Sequence, residues 1–264
     1  MQNDLDLFKK GRLSDAILSA TDNVKSNQSD IVLRSRLVEY LCLSSQFDRA
    51  DRQLEAIASL DPKTTIRVME LRQLIRASQA RGEMWTSGRL PEFTTTPPEH
   101  IDCRLRALVS LREGNHTEGA EWLKKAEECR PSLSGQMGDT KFDEFRDLDD
   151  FYGGVLEVMT STGKYFWVPM EHIIEANFTS PTRPIDAAWC EVDLTLREGP
   201  SGVVYVPAIY PQINGNSNSE TLIVGRETEW IESSSGIIRG QGLRSFIIGE
   251  QSLSIHELNN LQFE

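Results

Sequence analysis

The sequence predicts an α+β chain of two units: an all-helical repeat domain over residues 1–135 and a mainly-β, small barrel-like domain over 151–264, joined by an acidic connector at 136–150. Three observations predict it. Apolar residues recur at helical spacing in the first half and at alternate positions in the second. A 34-residue period runs through the helical half. Charge divides the chain, with 20 Lys/Arg against 21 Asp/Glu in 1–140 but 8 against 19 in 141–264.

The helical half is read from stripes such as Phe47, Ala50, Leu54, Ile57 and Ala58, which share one helix face, with Asp61-Pro62 closing that helix. Further helices are predicted near 13–25, 30–44, 64–80, 100–112 and 117–129. Gly11, Leu13 and Ala16 lie 34 residues before Ser45, Phe47 and Ala50, the period of a tetratricopeptide helix pair. Gly114, Gly119, Leu123, Ala126 and Pro131 keep the offsets of Ser45, Ala50, Leu54, Ile57 and Pro62, displaced by 69 residues, about two periods. The stretch 82–98, GEMWTSGRLPEFTTTPP, is expected to break the helix and form an ordered connection or hinge. Arg67, Arg72, Arg76 and Arg81 make the preceding helix basic, a solvated face, a partner site or a pairing with the acidic half.

In the second half, Cys190, Val192, Leu194 and Leu196 alternate with polar neighbours over 189–196, the pattern of a half-buried strand. Short strands are also predicted near 155–160, 164–168, 172–178, 202–206, 221–226, 236–239, 244–248 and 251–256. PQINGNSNSE at 211–220 is the most loop-like segment.

Composition narrows function. A net charge of −12 argues against a nucleic-acid partner, since phosphate is repelled before any specific contact forms. No run of 18 apolar residues exists to cross a membrane and MQNDLDLFKK lacks the apolar core of a signal peptide, so a cytoplasmic location is expected. Cys42, Cys103, Cys129 and Cys190 are far apart, as reduced buried thiols would be, and neither they nor the four isolated histidines carry zinc-site spacing. No cofactor motif survives, because Gly240-Gln241-Gly242 lies between strands with no helix following, and turn glycines explain it better than a dinucleotide site.

Two features could carry chemistry or binding. FDEFRDLDD at 142–150 gathers Asp143, Glu144, Asp147, Asp149 and Asp150, either as a solvated connector whose carboxylates cap turns or as a hard-cation site. Aromatics concentrate in the acidic half, and if Phe166 faces the core, strand alternation sends Tyr165 and Trp167 outward together. Set against simple burial on both faces, outward aromatics beside carboxylates would suit a basic, amphipathic helix, so Asp147, Asp149, Tyr165 and Trp167 are the partner-binding candidates.

FDEFRDLDDFYGGVLEV at 142–158, GKYFWVPMEHI at 163–173, IDAAWCEV at 185–192, GVVYVPAIYP at 202–211, GRETEW at 225–230 and GQGLRSF at 240–246 together resemble the ImpE family, also called TagJ, accessory proteins of bacterial type VI secretion systems. In that pattern Asp147 and Asp149 match an acidic D-x-D, Gly153 and Leu156-Glu157 a Gly-x-x-Leu-Glu, and Trp167-Val168-Pro169 an aromatic-Val-Pro triplet. Phe151-Tyr152 stand where an Arg-Leu pair is usual, which leaves the D-x-D without that arginine. The resemblance implies a cytoplasmic, non-enzymatic adaptor that binds a helix of the small subunit of the contractile sheath and is linked to the ATPase that recycles the sheath. It brings no catalytic residues, cofactor or metal. The competing expectation is a metal- or small-ligand-binding enzyme or sensor using the carboxylates at 143–150.

Overall fold

A computed structural model describes residues 3–212 and 219–264; residues 213–218 of the loop predicted at 211–220 lie outside the described residues. Seven α-helices precede the first strand: α1 (Asp4–Lys9), α2 (Leu13–Ser26), α3 (Ile31–Leu43), α4 (Phe47–Leu60), α5 (Thr65–Thr86), α6 (Glu99–Arg112) and α7 (His116–Cys129). Asp30 starts α3 by accepting from the Leu33 amide at 3.0 Å, and Asp61, followed by Pro62, ends α4. The sequence offsets return as backbone geometry. Gly11, Ser45 and Gly114 hold φ of 75°, 56° and 81° in the turns before α2, α4 and α7, and Ser45 is the one non-glycine in that region among the described residues. Five residues on, Ala16, Ala50 and Gly119 are buried where helices approach closely; a Cβ on Gly119 would sit 2.7 Å from Leu111.

The expected break at 82 does not occur. α5 runs to Thr86, since Gly82 costs a helix about 1 kcal/mol whereas the last turn buries Met84 completely and stacks Trp85 on Phe151. The connector that follows is ordered: the Glu92 amide donates to Tyr165 O at 2.9 Å and Glu92 O accepts from the Trp167 amide at 3.1 Å, which covers a sheet edge.

The strands are β1 (Gly135–Met137), β2 (Thr140–Phe142), β3 (Phe145–Asp147), β4 (Val155–Met159), β5 (Tyr165–Pro169), β6 (Ile173–Phe178), β7 (Trp189–Leu196), β8 (Gly202–Pro207), β9 (Thr228–Glu232), β10 (Ile238–Gly242), β11 (Ser245–Ile248), β12 (Gln251–Ser254) and β13 (Asn260–Phe263). The 136–150 stretch expected as a connector therefore carries three short strands. The 221–226 run expected as a strand instead begins in a one-turn helix, α8 (Glu220–Ile223); three apolar residues in a row, without alternation, do not separate the two.

An antiparallel eight-stranded sheet has the order β2-β1-β13-β6-β7-β8-β4-β5, beside a three-stranded sheet β12-β11-β3 and a β9-β10 hairpin. The expected barrel is not closed, because among the described residues no pairing joins β2 to β5. The large sheet is instead covered on both faces. One face packs Val158, Val192, Leu194 and Val206 against Phe145 and Phe246 of the smaller sheet. The other packs Val155, Met159, Tyr165 and Trp167 into the apolar cluster of the helices.

The register of the helical turns makes a stability prediction. Ala50→Leu, which adds methylenes at a fully buried helix contact, should cost about 1–3 kcal/mol in urea unfolding, whereas Ala56→Leu on a half-buried face should cost less than half as much; equal costs would contradict the packing.

Candidate functional site at the helix–sheet junction

β4 reads Val-Leu-Glu-Val-Met and all five residues are buried, so Glu157 stands as a carboxylate in an apolar strand facing α5. Such a charge persists only when paired. Arg81, from the last third of α5, reaches it with Nε to Oε1 and Nη2 to Oε2, both 2.8 Å, and also donates from Nη2 to Ile209 O at 3.1 Å. Arg244 reaches it from the other side through Nη2. Tyr165 donates its hydroxyl to Oε1, and the Trp167 indole N–H donates to that hydroxyl oxygen at 2.7 Å.

The acidic run closes the same network. Arg244 Nη1 donates to Asp147 Oδ2 at 2.9 Å and the Tyr210 hydroxyl donates to Asp147 Oδ1 at 2.6 Å. Asp149 accepts from Arg239 Nε at 2.9 Å and from the Gly240 amide at 2.9 Å, and it caps the turn through the Phe151 amide. The rings of Trp85 and Phe151 lie 4.8 and 4.9 Å from the Arg239 guanidinium, and Tyr152 lies 4.9 Å from that of Arg244. Phe151-Tyr152 thus face cations supplied from β10 and the segment after it, which serve the D-x-D that lacks the usual neighbouring arginine. Gly240 is required here because a Cβ would lie 2.4 Å from the Tyr210 ring; a Cβ on Gly153 would lie 2.7 Å from Arg104 Nη2 on α6.

All four residues expected to recruit a partner lie in or against this network, and none is on the surface: Asp147, Asp149 and Trp167 are 0 % exposed and Tyr165 is 3 %. The strand alternation was read correctly, since Phe166 faces the inner sheet core and Tyr165 and Trp167 share the opposite face. That second face is covered by α5 rather than by solvent, which corrects the outward orientation. Arg81 takes the pairing with the acidic half, while Arg67 and Arg72 form ion pairs with Glu70 and with Asp51 and Glu55. The remaining carboxylates diverge: Glu144 pairs with Arg130 at 2.9 Å and Asp150 accepts from the Ile238 amide at 2.7 Å. Among the described residues no group of three or more His, Cys, Asp or Glu could hold a metal ion. Arg239, Arg244 and Tyr210 escaped the sequence reading as site residues, and Glu157 entered it only through the Gly-x-x-Leu-Glu match; a lone glutamate within VLEVM was the signal that it must be paired.

Beside the network a cleft of about 390 Å³ opens between the α3–α4 turn, α5 and the chain after β8, walled by Phe47, Trp85, Trp189, Ile209 and Ile223 with Arg81 at its base. The guanidinium that ties the two halves together thus also faces the cleft.

Electrostatics make the network pH-sensitive in two directions. Burial alone would raise the pKa of Glu157, but Arg81, Arg244 and the Tyr165 hydroxyl reverse this and hold it at about 2, against an ordinary 4.5. Its stabilisation is present above about pH 4.5 and is lost as pH falls toward about 2. Burial pushes Asp147 from 3.8 up to about 7 against the pull of Arg244, so the folded state binds that proton more tightly and stability falls as pH rises between these values. In urea unfolding, Asp147→Asn should flatten the fall across that interval. Glu157→Gln should lower stability by about 3–5 kcal/mol at neutral pH, because two guanidiniums lose their counter-charge. Parent-like stability and slopes in both variants would contradict the network.

Residues 139–262 match the ImpE protein family. Over 260 residues the chain is 31 % identical to the type VI secretion system accessory component TagJ of Pseudomonas aeruginosa, spanning 98 % of this chain and 90 % of that protein. A crystal structure of a protein from Vibrio parahaemolyticus superposes with a TM-score of 0.90 at 28 % identity, covering 99 % of this chain and 97 % of the other. The full-length similarity, with the family match over the strand-bearing part that holds the D-x-D and Glu157, means that the chain belongs to the ImpE family.

Proposed function

We propose that the chain is a non-enzymatic, cytoplasmic adaptor of a type VI secretion system, that it binds a helix of the small contractile-sheath subunit, and that it is linked to sheath recycling by the system's ATPase. Family membership supports a role as an accessory component of that system. The observation that carries the binding reading is the cleft, whose apolar walls come from both halves of the chain, the kind of surface onto which the apolar face of an amphipathic helix docks. The equivalent turns at Gly11, Ser45 and Gly114 support a tetratricopeptide-like helical unit, an architecture whose grooves commonly take helices. Asp147, Asp149, Tyr165 and Trp167 would serve this function from beneath, by fixing Arg81 and Tyr210 in the cleft wall, without touching the partner. The reading as a metal- or ligand-dependent enzyme draws no support from carboxylates that diverge onto separate arginines.

Co-purification of the full chain with the small sheath subunit tests this reading. Phe47→Ala and Ile223→Ala, at half-buried cleft positions, should weaken capture roughly tenfold while circular dichroism stays parent-like, and Glu118→Lys on an exposed face of α7 should change nothing. Capture undiminished by the cleft variants, or by deletion of the sheath subunit's helix, would contradict it.

A further inference from the structure

The β9-β10 hairpin is a two-stranded sheet apart from the larger ones, and its two edges are treated differently. On β10 the even-numbered residues turn their backbone groups away from β9: the Ile238 amide donates to Asp150 Oδ2 and Ile238 O accepts from the Asp150 amide, the Gly240 amide donates to Asp149, and Gly242 O accepts from the Tyr210 amide. Their partners in register are Glu232, Trp230 and Thr228. In an antiparallel ladder, residues opposite such positions also turn their N–H and C=O groups outward. Among the described residues the backbone groups of Thr228, Trp230 and Glu232 meet no backbone partner on that side. β9 is therefore an open edge.

Its side chains are those of a contact surface rather than of a guarded edge. Glu229, Trp230, Ile231 and Glu232 are exposed, with both Trp230 and Ile231 42 % accessible. Trp230 is held edge-on against the Tyr210 ring with centroids 5.9 Å apart, so its position is set before anything binds. Glu227, Glu229 and Glu232 have no cationic partner among the described residues. Natural sheets block such edges with charged side chains, above all lysines, with prolines or with bulges; here every such charge is a carboxylate and it flanks exposed apolar residues, which turns away acidic strands and leaves the edge open to a basic one.

We propose that the β9 edge is a docking strand for a short, extended, basic segment of another protein, added by main-chain hydrogen bonds to Thr228, Trp230 and Glu232 and seated on Trp230 and Ile231. The charge selects the occupant. A second copy of this chain would bring Glu229 and Glu232 of each strand, with the adjoining Glu227, to one seam and be repelled, whereas lysines or arginines beside β-branched residues would complement it. No β9 residue lines the cleft assigned to the sheath helix, although Trp230 touches Tyr210 of its wall; the charge variants of Glu229 and Glu232, away from that ring, let either assignment fail alone.

The test uses the full chain and a fluorescent seven-residue peptide alternating lysine with valine and isoleucine. Expected are saturable binding by anisotropy, slowed amide exchange at Thr228, Trp230 and Glu232 by NMR, and binding roughly tenfold weaker in Trp230→Ala. Glu229→Gln/Glu232→Gln should weaken binding and flatten its salt dependence. The same peptide N-methylated at alternate amides should not bind, while sheath-subunit capture by Glu229→Gln/Glu232→Gln stays unchanged. Equal binding by the N-methylated peptide or by a helix-forming peptide of lysine, leucine and alanine would overturn the proposal, as would unchanged exchange at the three amides.

Discussion

Glu157 lies in the middle of a fully buried strand, and a buried carboxylate without counter-charges would cost more than the strand's apolar neighbours return. Two guanidiniums from opposite directions answer it, Arg81 from the helices and Arg244 from the segment between β10 and β11. Much of the surrounding structure follows from that demand. α5 must continue past Gly82 so that its last turns stay registered against β4 and β5, which brings Trp85 over Arg239. Arg244 must also satisfy Asp147, which fixes β3 and the acidic turn, and Gly240 must lack a side chain so that Tyr210 can close over that turn.

The sequence was most informative where local physics governs. Helical stripes located α2, α3, α4, α6 and α7, the alternation over 189–196 located β7, and the 34-residue offset located turns that share one backbone conformation. It was least informative where tertiary contacts decide. A glycine followed by Glu-Met-Trp reads as a helix end until Met84 and Trp85 are seen to enter the core. β1, β2 and β3 escaped because they fall in the stretch read as an acidic connector, and β1 and β3 pair with strands about 100 residues or more further along the chain. The candidate residues show the same division: that Tyr165 and Trp167 share a face was legible, but which partner covers that face depends on a helix about 80 residues earlier in the chain. The D-x-D was legible as a cluster. Its arginines were not, because they lie about 90 residues on and spacing does not reveal pairing at that range.

For function, the consequence is a division of labour among the charges. The carboxylates at the centre are committed to holding the two halves together, and their arginines lie over aromatic rings, Trp85 of the cleft wall among them. In the adaptor role proposed above, side chains already held by such contacts would lose little entropy on binding. The excess negative charge that remains at the surface of the strand-bearing half would steer basic partners toward it.

The central claim is that this buried network makes the helices and the sheet one cooperative unit, although the patterning of the sequence suggests two. Native-state hydrogen exchange in low urea measures it directly. The account predicts that the most protected amides of α3 and of β7 open with the same free energy and the same urea dependence, as members of a single global unfolding. Opening of one set at markedly lower free energy, while the other stays closed, would contradict it.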